Sequence, residues 1–233
     1  MDYIAESQKL RSAFGYLRGF DRRAVGTLWQ LGGLLNPEWI NVAEHMSVAA
    51  VLGFRIAEDL KRQLVAEKIV PLDVAHALLT HDWAKRKESG LWKSGATAAQ
   101  MIVESRVNTK EIAELFSEKV AGLSAATGDL GIATAETRPL TLVEKIVFYA
   151  DCCTAGSTVT TYKERFDTLL PQFSNGGRYE KTDEYFLTTY GMSHRKKYDL
   201  IVLPIEAEFL KSSGCAIHRE DFPLCLVPPV FQV

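Results

Sequence analysis

Between residues 38 and 62 the chain carries a hydrophobic pattern that a long α-helix satisfies and a strand does not. Ile40, Val48, Val51, Leu52, Ile56 and Leu60 share one helical face at three- and four-residue steps, where a strand would need strict alternation. Asn36 before Pro37 suits a cap followed by the first helical position. A helix of this length needs other helices to cover it, and the rest of the sequence offers them.

A second helix is predicted from Pro71 through Val74, Ala77 and Leu78 to His81. Two more are expected at 96–104 and 110–119, divided by the cap signal of Asn108 and Thr109. Residues 122–139 are rich in Gly, Thr and Ala and read as a loop. The segment LTLVEKIVFYAD, residues 140–151, is apolar enough for a buried strand or a buried helix. Its length and the polar break at Glu144 and Lys145 favour the helix. Beyond 156 the composition shifts toward Thr, Tyr, Asn and Gly, and NGG at 175–177 marks a turn. Amphipathic helices are expected around 162–170, 182–190 and 200–211, with IVLP at 201–204 open to a strand reading. Pro223, Pro228 and Pro229 exclude regular structure near the end. The reading is an all-α protein: a helical bundle over 1–156, and a mostly helical C-terminal extension over 157–233 packed on the same body.

Composition narrows the function classes. A hydrophobic share of 47% with 24% charged residues is that of an ordinary globular chain with a sizeable core. The net charge of −2 argues against a protein that meets nucleic acid through a global positive field. No apolar run reaches the roughly 18 to 20 residues of a membrane span. The N-terminus, MDYIAESQKLRS, is acidic and polar where a signal peptide has a basic flank and an apolar run. The cysteines at 152, 153, 215 and 225 form no CxxC pair, so a reducing, cytoplasmic setting is expected.

Chemistry concentrates in four residues. His45 lies in the long helix (AEHMSVAAVLG), His81 and Asp82 form a His-Asp dipeptide at the close of the next (LLTHDWAK), and Asp151 ends the apolar segment (VFYADCC). An ionised carboxylate buried there unpaired would cost several kcal/mol. It must be paired, hold a cation, or face solvent. The first helix travels about 22 Å from His45 to Leu60 and the second returns about 14 Å from Leu72 to His81, so an antiparallel pair can bring the histidines level. Two imidazoles and two carboxylates suit one divalent ion (Mn, Fe, Co, Ni or Zn) with open positions for water and substrate. Lys85, Arg86 and Lys87 follow directly and can offset phosphate charge.

Taken together, these residues resemble the HD superfamily of metal-dependent phosphohydrolases, whose pattern is a histidine, then His-Asp, then a distant aspartate on a helical bundle. The intervals, 36 residues from His45 to His81 and 69 from Asp82 to Asp151, are similar to those of its small single-domain members. VAEHMSVAAVLG, HDWAK, KSGATAAQMIVES and LTLVEKIVFYAD resemble the family's helices around these positions, and the likeness covers about 40–156. It implies metal ligation by His45, His81, Asp82 and Asp151, catalytic work by Asp82 and Lys85, and substrate binding by Lys85 and Arg86. The implied substrate is a phosphorylated small molecule, a nucleotide on family grounds. Residues 83–150 contain no histidine, which implies a mononuclear site. Lys85 stands where the family's nucleotidases place a carboxylate, and Glu88 is poorly placed to replace it. A non-catalytic, regulatory ligand-binding module is therefore the alternative, and a homodimer through the long helix a third reading.

Other residues read as structural. His76 faces away from His81 on its helix, and Glu44 points away from His45. The run His194, Arg195, Lys196 and Lys197 reads as a solvated face, although it could meet a phosphate-rich ligand. Cys152 and Cys153 read as small buried hydrophobes. The glycines near 26–33 make no phosphate-binding fingerprint, since no strand precedes them.

Overall fold

The computed structural model describes residues 7–64, 67–174, 176–177, 179–213 and 221–232, the side chains at 98, 102 and 105–107 aside. Cys215, Asn175 of the NGG turn and the first six residues lie outside them. The described residues are all-α apart from one two-residue hairpin. No helix among them is long and apolar enough to cross a membrane.

Two short helices missing from the sequence reading come first, α1 (Gln8–Tyr16) and α2 (Arg22–Gly32), capped by the Ser7 and Asp21 side chains. The long helix α3 (Ile40–Gln63) follows. Asn36 caps the turn ahead of it, its Oδ1 accepting from the Glu38 and Trp39 amides, and the regular helix begins only at Ile40. All eight residues from Met46 to Gly53 are buried, so α3 is covered all round and forms the axis of the bundle. It packs against α1, α4 (Pro71–Leu78) and α10 (Leu142–Cys152).

Gly53 sets how closely α3 and α4 approach. A Cβ there would run into Leu78 Cδ1 and stand 3.0 Å from Val74 Cγ1, and both neighbours are fully buried. Gly53→Ala is therefore expected to destabilise the fold by about 1–3 kcal/mol through overpacking, although alanine is the better helix former by roughly 0.8–1.0 kcal/mol. Urea denaturation of the two chains checks this, and a midpoint equal to or above the parent's would contradict it.

Helix α4 ends at Leu78, short of the predicted His81. The cause is capture of its last carbonyls by side chains. Thr80 Oγ1 donates to His76 and Ala77, His81 Nδ1 to Leu78, and Trp29 Nε1 to Leu79. His81 and Asp82 thus sit in a braced turn rather than on a helix. Next come α5 (Lys85–Lys93), α6 (Ala98–Val107), α7 (Thr109–Leu115), α8 (Glu118–Ser124) and α9 (Gly128–Thr137). The loop expected at 122–139 is thus mostly helical, holding all of α9 and the end of α8. One of its glycines serves packing: a Cβ on Gly131 would meet the Phe148 ring at 2.6 Å.

Helix α10 opens on a capping box in which Thr141 and Glu144 satisfy each other's amides, with Arg138 paired to Glu144. It leads into the hairpin of β1 (Thr154–Ala155) and β2 (Thr158–Val159). The helices α11 (Tyr162–Leu169), α12 (Glu180–Tyr190) and α13 (His194–Ser212) follow. IVLP lies inside α13, because Tyr198, Val202, Ile205 and Phe209 make one buried helical face. Tyr149 of α10 meets Phe209 and Phe222, and Val159 bridges Gln232. The core is one continuous cluster that runs from Leu10 to Phe231.

Candidate metal centre

Three elements deliver the site. His45 projects from the first third of α3, His81 and Asp82 from the turn after α4, and Asp151 from the last turn of α10. A carboxylate at a helix C-terminus opposes the macrodipole, so Asp151 needs compensation. His45 Nε2 lies 3.3 Å from its Oδ1, His81 Nε2 3.5 Å, and the guanidinium of Arg165 3.4 Å. His81 Nε2 is also 3.9 Å from Asp82 Oδ2. One ligand atom from each of His45, His81 and Asp82 falls within 4.8 Å of the others. Asp151 joins this compact trio through the two imidazoles.

The protonation of the rings decides what the cluster wants. His45 Nδ1 is 3.1 Å from the carbonyl of Gly156, and His81 Nδ1 is 2.8 Å from that of Leu78. A carbonyl only accepts, so each Nδ1 carries the proton. Gly156 can present its carbonyl this way because it turns the hairpin at a φ of 55°, which glycine adopts without strain. In the neutral rings both Nε2 atoms are then lone pairs, and both face the Asp151 carboxylate, another acceptor. His81 Nε2 is buried with no hydrogen-bond partner among the described residues. Lone pairs converging on one point call for a cation. A first-row divalent ion with bonds of about 2.1 Å sets neighbouring ligands roughly 3.0–3.4 Å apart; His45 and His81 stand close to that spacing from Asp151, at 3.3 and 3.5 Å, and His81 stands wider from Asp82, at 3.9 Å. Imidazoles held through Nδ1 by backbone carbonyls are also the usual support of metal-binding histidines.

The charges agree. Burial lowers the His45 pKa and outweighs its bond to Asp151. Burial would lower His81 too, but Asp82 and Asp151 override it and raise the value. Burial pushes Asp82 up, yet Lys85 and the two histidines bring it down to about 2. Asp151 is held well below the carboxylate range, burial being outweighed by Arg165 and His81. Two ionised carboxylates and one neutral imidazole thus meet at a point that demands positive charge. The residues fit a divalent metal.

A cavity of about 250 Å³ opens against His81, Asp82 and Asp151. Lys85 lines it, with its Nζ 3.2 Å from Asp82 Oδ1. Arg86 does not line it; its guanidinium lies against Gly33, so substrate binding by Arg86 is not supported by its position. Ser124 to Leu130 and residues of α11, α12 and α13 build the other walls. Arg165, one turn into α11, lines the same space beside Asp151 and went unread in the sequence. Its only signal was an arginine following the T-x-x-E capping box of Thr161 and Glu164.

The remaining candidates separate cleanly. His76 Nε2 accepts from the Asp21 amide, and Glu44 holds Ser7 Oγ at 2.6 Å, away from the cluster. Cys152 and Cys153 are buried and free. The run from His194 is a solvated face only in part: Lys196 is exposed and Arg195 half-buried, whereas His194 is buried against Phe173, Phe186 and Tyr198, and Lys197 is buried on Glu136.

The described chain is thus an all-α protein with a partly buried His–Asp cluster at the wall of a cavity. Comparison with family models, curated proteins and solved structures finds no match.

Proposed function

We propose that this chain is a metal-dependent phosphohydrolase of the HD type, cleaving a phosphate ester of a small molecule such as a nucleotide. The observation that carries the reading is the convergence of the two Nε2 atoms on Asp151 and Asp82, at the wall of a cavity that also presents Lys85 and Arg165. His45, His81, Asp82 and Asp151 would hold one ion. A divalent ion there supplies Lewis acidity, polarising a phosphoryl oxygen and making water a competent nucleophile near neutral pH.

The chain's own groups do the rest. Lys85 is kept charged by Asp82 and Glu88, and its ammonium meets the phosphate as a point charge. Arg165 is kept charged against burial by Asp151 and offers a fork of donors matched to phosphate oxygens. Aromatic walls from Trp92, Phe166 and Phe173 exclude water from the ester. The free buried cysteines fit a reducing, cytoplasmic setting.

The test is metal analysis of the purified chain, followed by a panel of phosphomonoesters with Mn²⁺ or Co²⁺. One equivalent of transition metal and turnover far above background are expected, both lost in Asp82→Ala. If no stoichiometric metal is found and neither ion supports turnover, the proposal fails. Metal without turnover would select the regulatory module, a reading favoured by the Lys85–Asp82 pair standing where a free carboxylate would assist proton transfer.

A further inference from the structure

The wall of the cavity at the metal centre carries four carboxylates: Asp82, Glu88, Asp129 and Asp151. Three of them have a cation at hand. Asp82 and Asp151 belong to the metal centre and stand against Lys85 and Arg165, and Glu88 is close enough to Lys85 to help keep it charged. Asp129 differs. Among the described residues no lysine or arginine reaches it, and its one ionisable partner is His194.

Asp129 stands in the first turn of α9 and is fixed from α13. His194 Nε2 and Tyr198 Oη each lie 3.0 Å from the same oxygen, Oδ1, and both donate, since a carboxylate only accepts. Oδ2 accepts from no described residue, and it is not among the buried atoms left without a partner. The side chain is 33% exposed. One oxygen is therefore held and the other is open. An acid in the first turn of a helix complements the macrodipole, but that role calls for neither the two bonds from α13 nor a place on a cavity wall. The neighbours are rings. His194 stacks on Tyr198 at 4.4 Å and meets Phe173 at 4.9 Å, Phe166 lies 5.1 Å from Tyr198, and all four line the cavity. Phe166 follows Arg165 in the chain, so this wall leads from Asp129 to the guanidinium beside Asp151.

We infer that Asp129 is the recognition group for an ammonium on the non-phosphate part of the substrate, which is then an aminoalkyl phosphate ester with an anionic and a cationic end. The inference rests on the phosphohydrolase reading for the phosphate end alone. A substrate that fills the cavity expels water from Asp129 and leaves its charge uncompensated, which is costly unless a cation arrives with it. A hydroxyl would meet the open oxygen but not the charge. A carboxylate or a second phosphate would add repulsion. An ammonium answers both needs, and the negative faces of the surrounding rings favour a cation further. Lys85 and Arg165 take the phosphate, and Asp129 takes the amine.

Binding and turnover are measured separately on the full chain loaded with Mn²⁺. Calorimetry compares ω-aminoalkylphosphonates of increasing chain length with the isosteres that carry a methyl or a hydroxyl group in place of the ammonium; none of these can be hydrolysed. At the best chain length the wild type should bind the amine at least about tenfold more tightly than the methyl compound, with the hydroxyl compound in between. Asp129→Asn keeps an oxygen for His194 and Tyr198 and removes the charge, so it should close that gap while its metal content stays parental. Should Asp129→Asn fail to fold, Asp129→Ser reads the same gap. A gap that survives the substitution means that the carboxylates of the metal centre hold the amine, and overturns the subsite. Equal affinity for amine and methyl compounds, a hydroxyl compound that binds as tightly as the amine, or binding of none overturns it too. Turnover of the matching phosphate esters tests the other reading: a binding gap without turnover removes the hydrolase and leaves the subsite, and turnover without a gap does the reverse.

Discussion

Saturating Mn²⁺ or Co²⁺ should raise the melting temperature of this chain by about 8–16 °C, and His81→Ala should abolish the shift. A ligand at 1,000 times its dissociation constant stabilises the folded state by about 4.1 kcal/mol. For a domain of this size each kcal/mol moves the midpoint by roughly 2–4 °C. The cluster justifies assuming so tight a site because its ligands are already assembled. His81 is fixed by the Leu78 carbonyl and His45 by that of Gly156, and the braced turn after α4 holds Asp82 beside them. Little ordering is left for the metal to impose. In its absence a proton is the alternative cation, and the raised pKa of His81, driven by Asp82 and Asp151 against burial, is its trace. Calorimetric scans in chelator and in metal, for the parent and for His81→Ala, decide the matter. A midpoint that no divalent ion shifts would mean that the cluster is a proton-held ion pair.

How far the sequence foretold this arrangement depends on which physical signal each part carried. Helix α3 was legible because its large apolar residues recur with helical period, and α10 because its length and the polar break at Glu144 and Lys145 favoured a helix over a strand; His45 and Asp151 sat on them. The end of α4 was not, because Thr80, Trp29 and His81 stop it through side-chain bonds to its carbonyls, and Trp29 is remote in sequence. The stretch 122–139 misled through its glycines and alanines, although it is mostly helical and Gly131 is small to let α9 lie against Phe148. Asn108 looked like a cap, and the run from His194 looked solvated, because local propensity favours those roles. Both residues are turned inward by tertiary contacts that no window of sequence contains. Arg165 had no signal beyond its charge. Its meaning comes from Asp151, fourteen residues away in the chain and 3.4 Å away in space.

That pairing yields the other large effect expected. Arg165→Met should lower turnover by about 10²–10³-fold while the chain keeps its full equivalent of metal. The two outcomes follow from what Arg165 touches. It is a neighbour of Asp151 rather than a donor to the ion, and a bound ion would itself supply the positive charge that Asp151 draws from Arg165 when the metal is absent. Ligation therefore survives the loss of the guanidinium. The phosphate end of the cavity does not, since Lys85 is already committed to Asp82 and a single ammonium cannot reproduce a forked donor. Arg165→Lys should for the same reason recover only a small part of the lost rate. The measurements are metal content, kcat and KM for the parent and both variants, with Asp151→Asn as the control that loses metal. If Arg165→Met sheds its metal as completely as Asp151→Asn, then Arg165 acts by holding Asp151 in place and the phosphate is bound elsewhere. If instead metal and kcat both stay at parental values, the guanidinium takes no part in the chemistry, and Lys85 carries the phosphate alone.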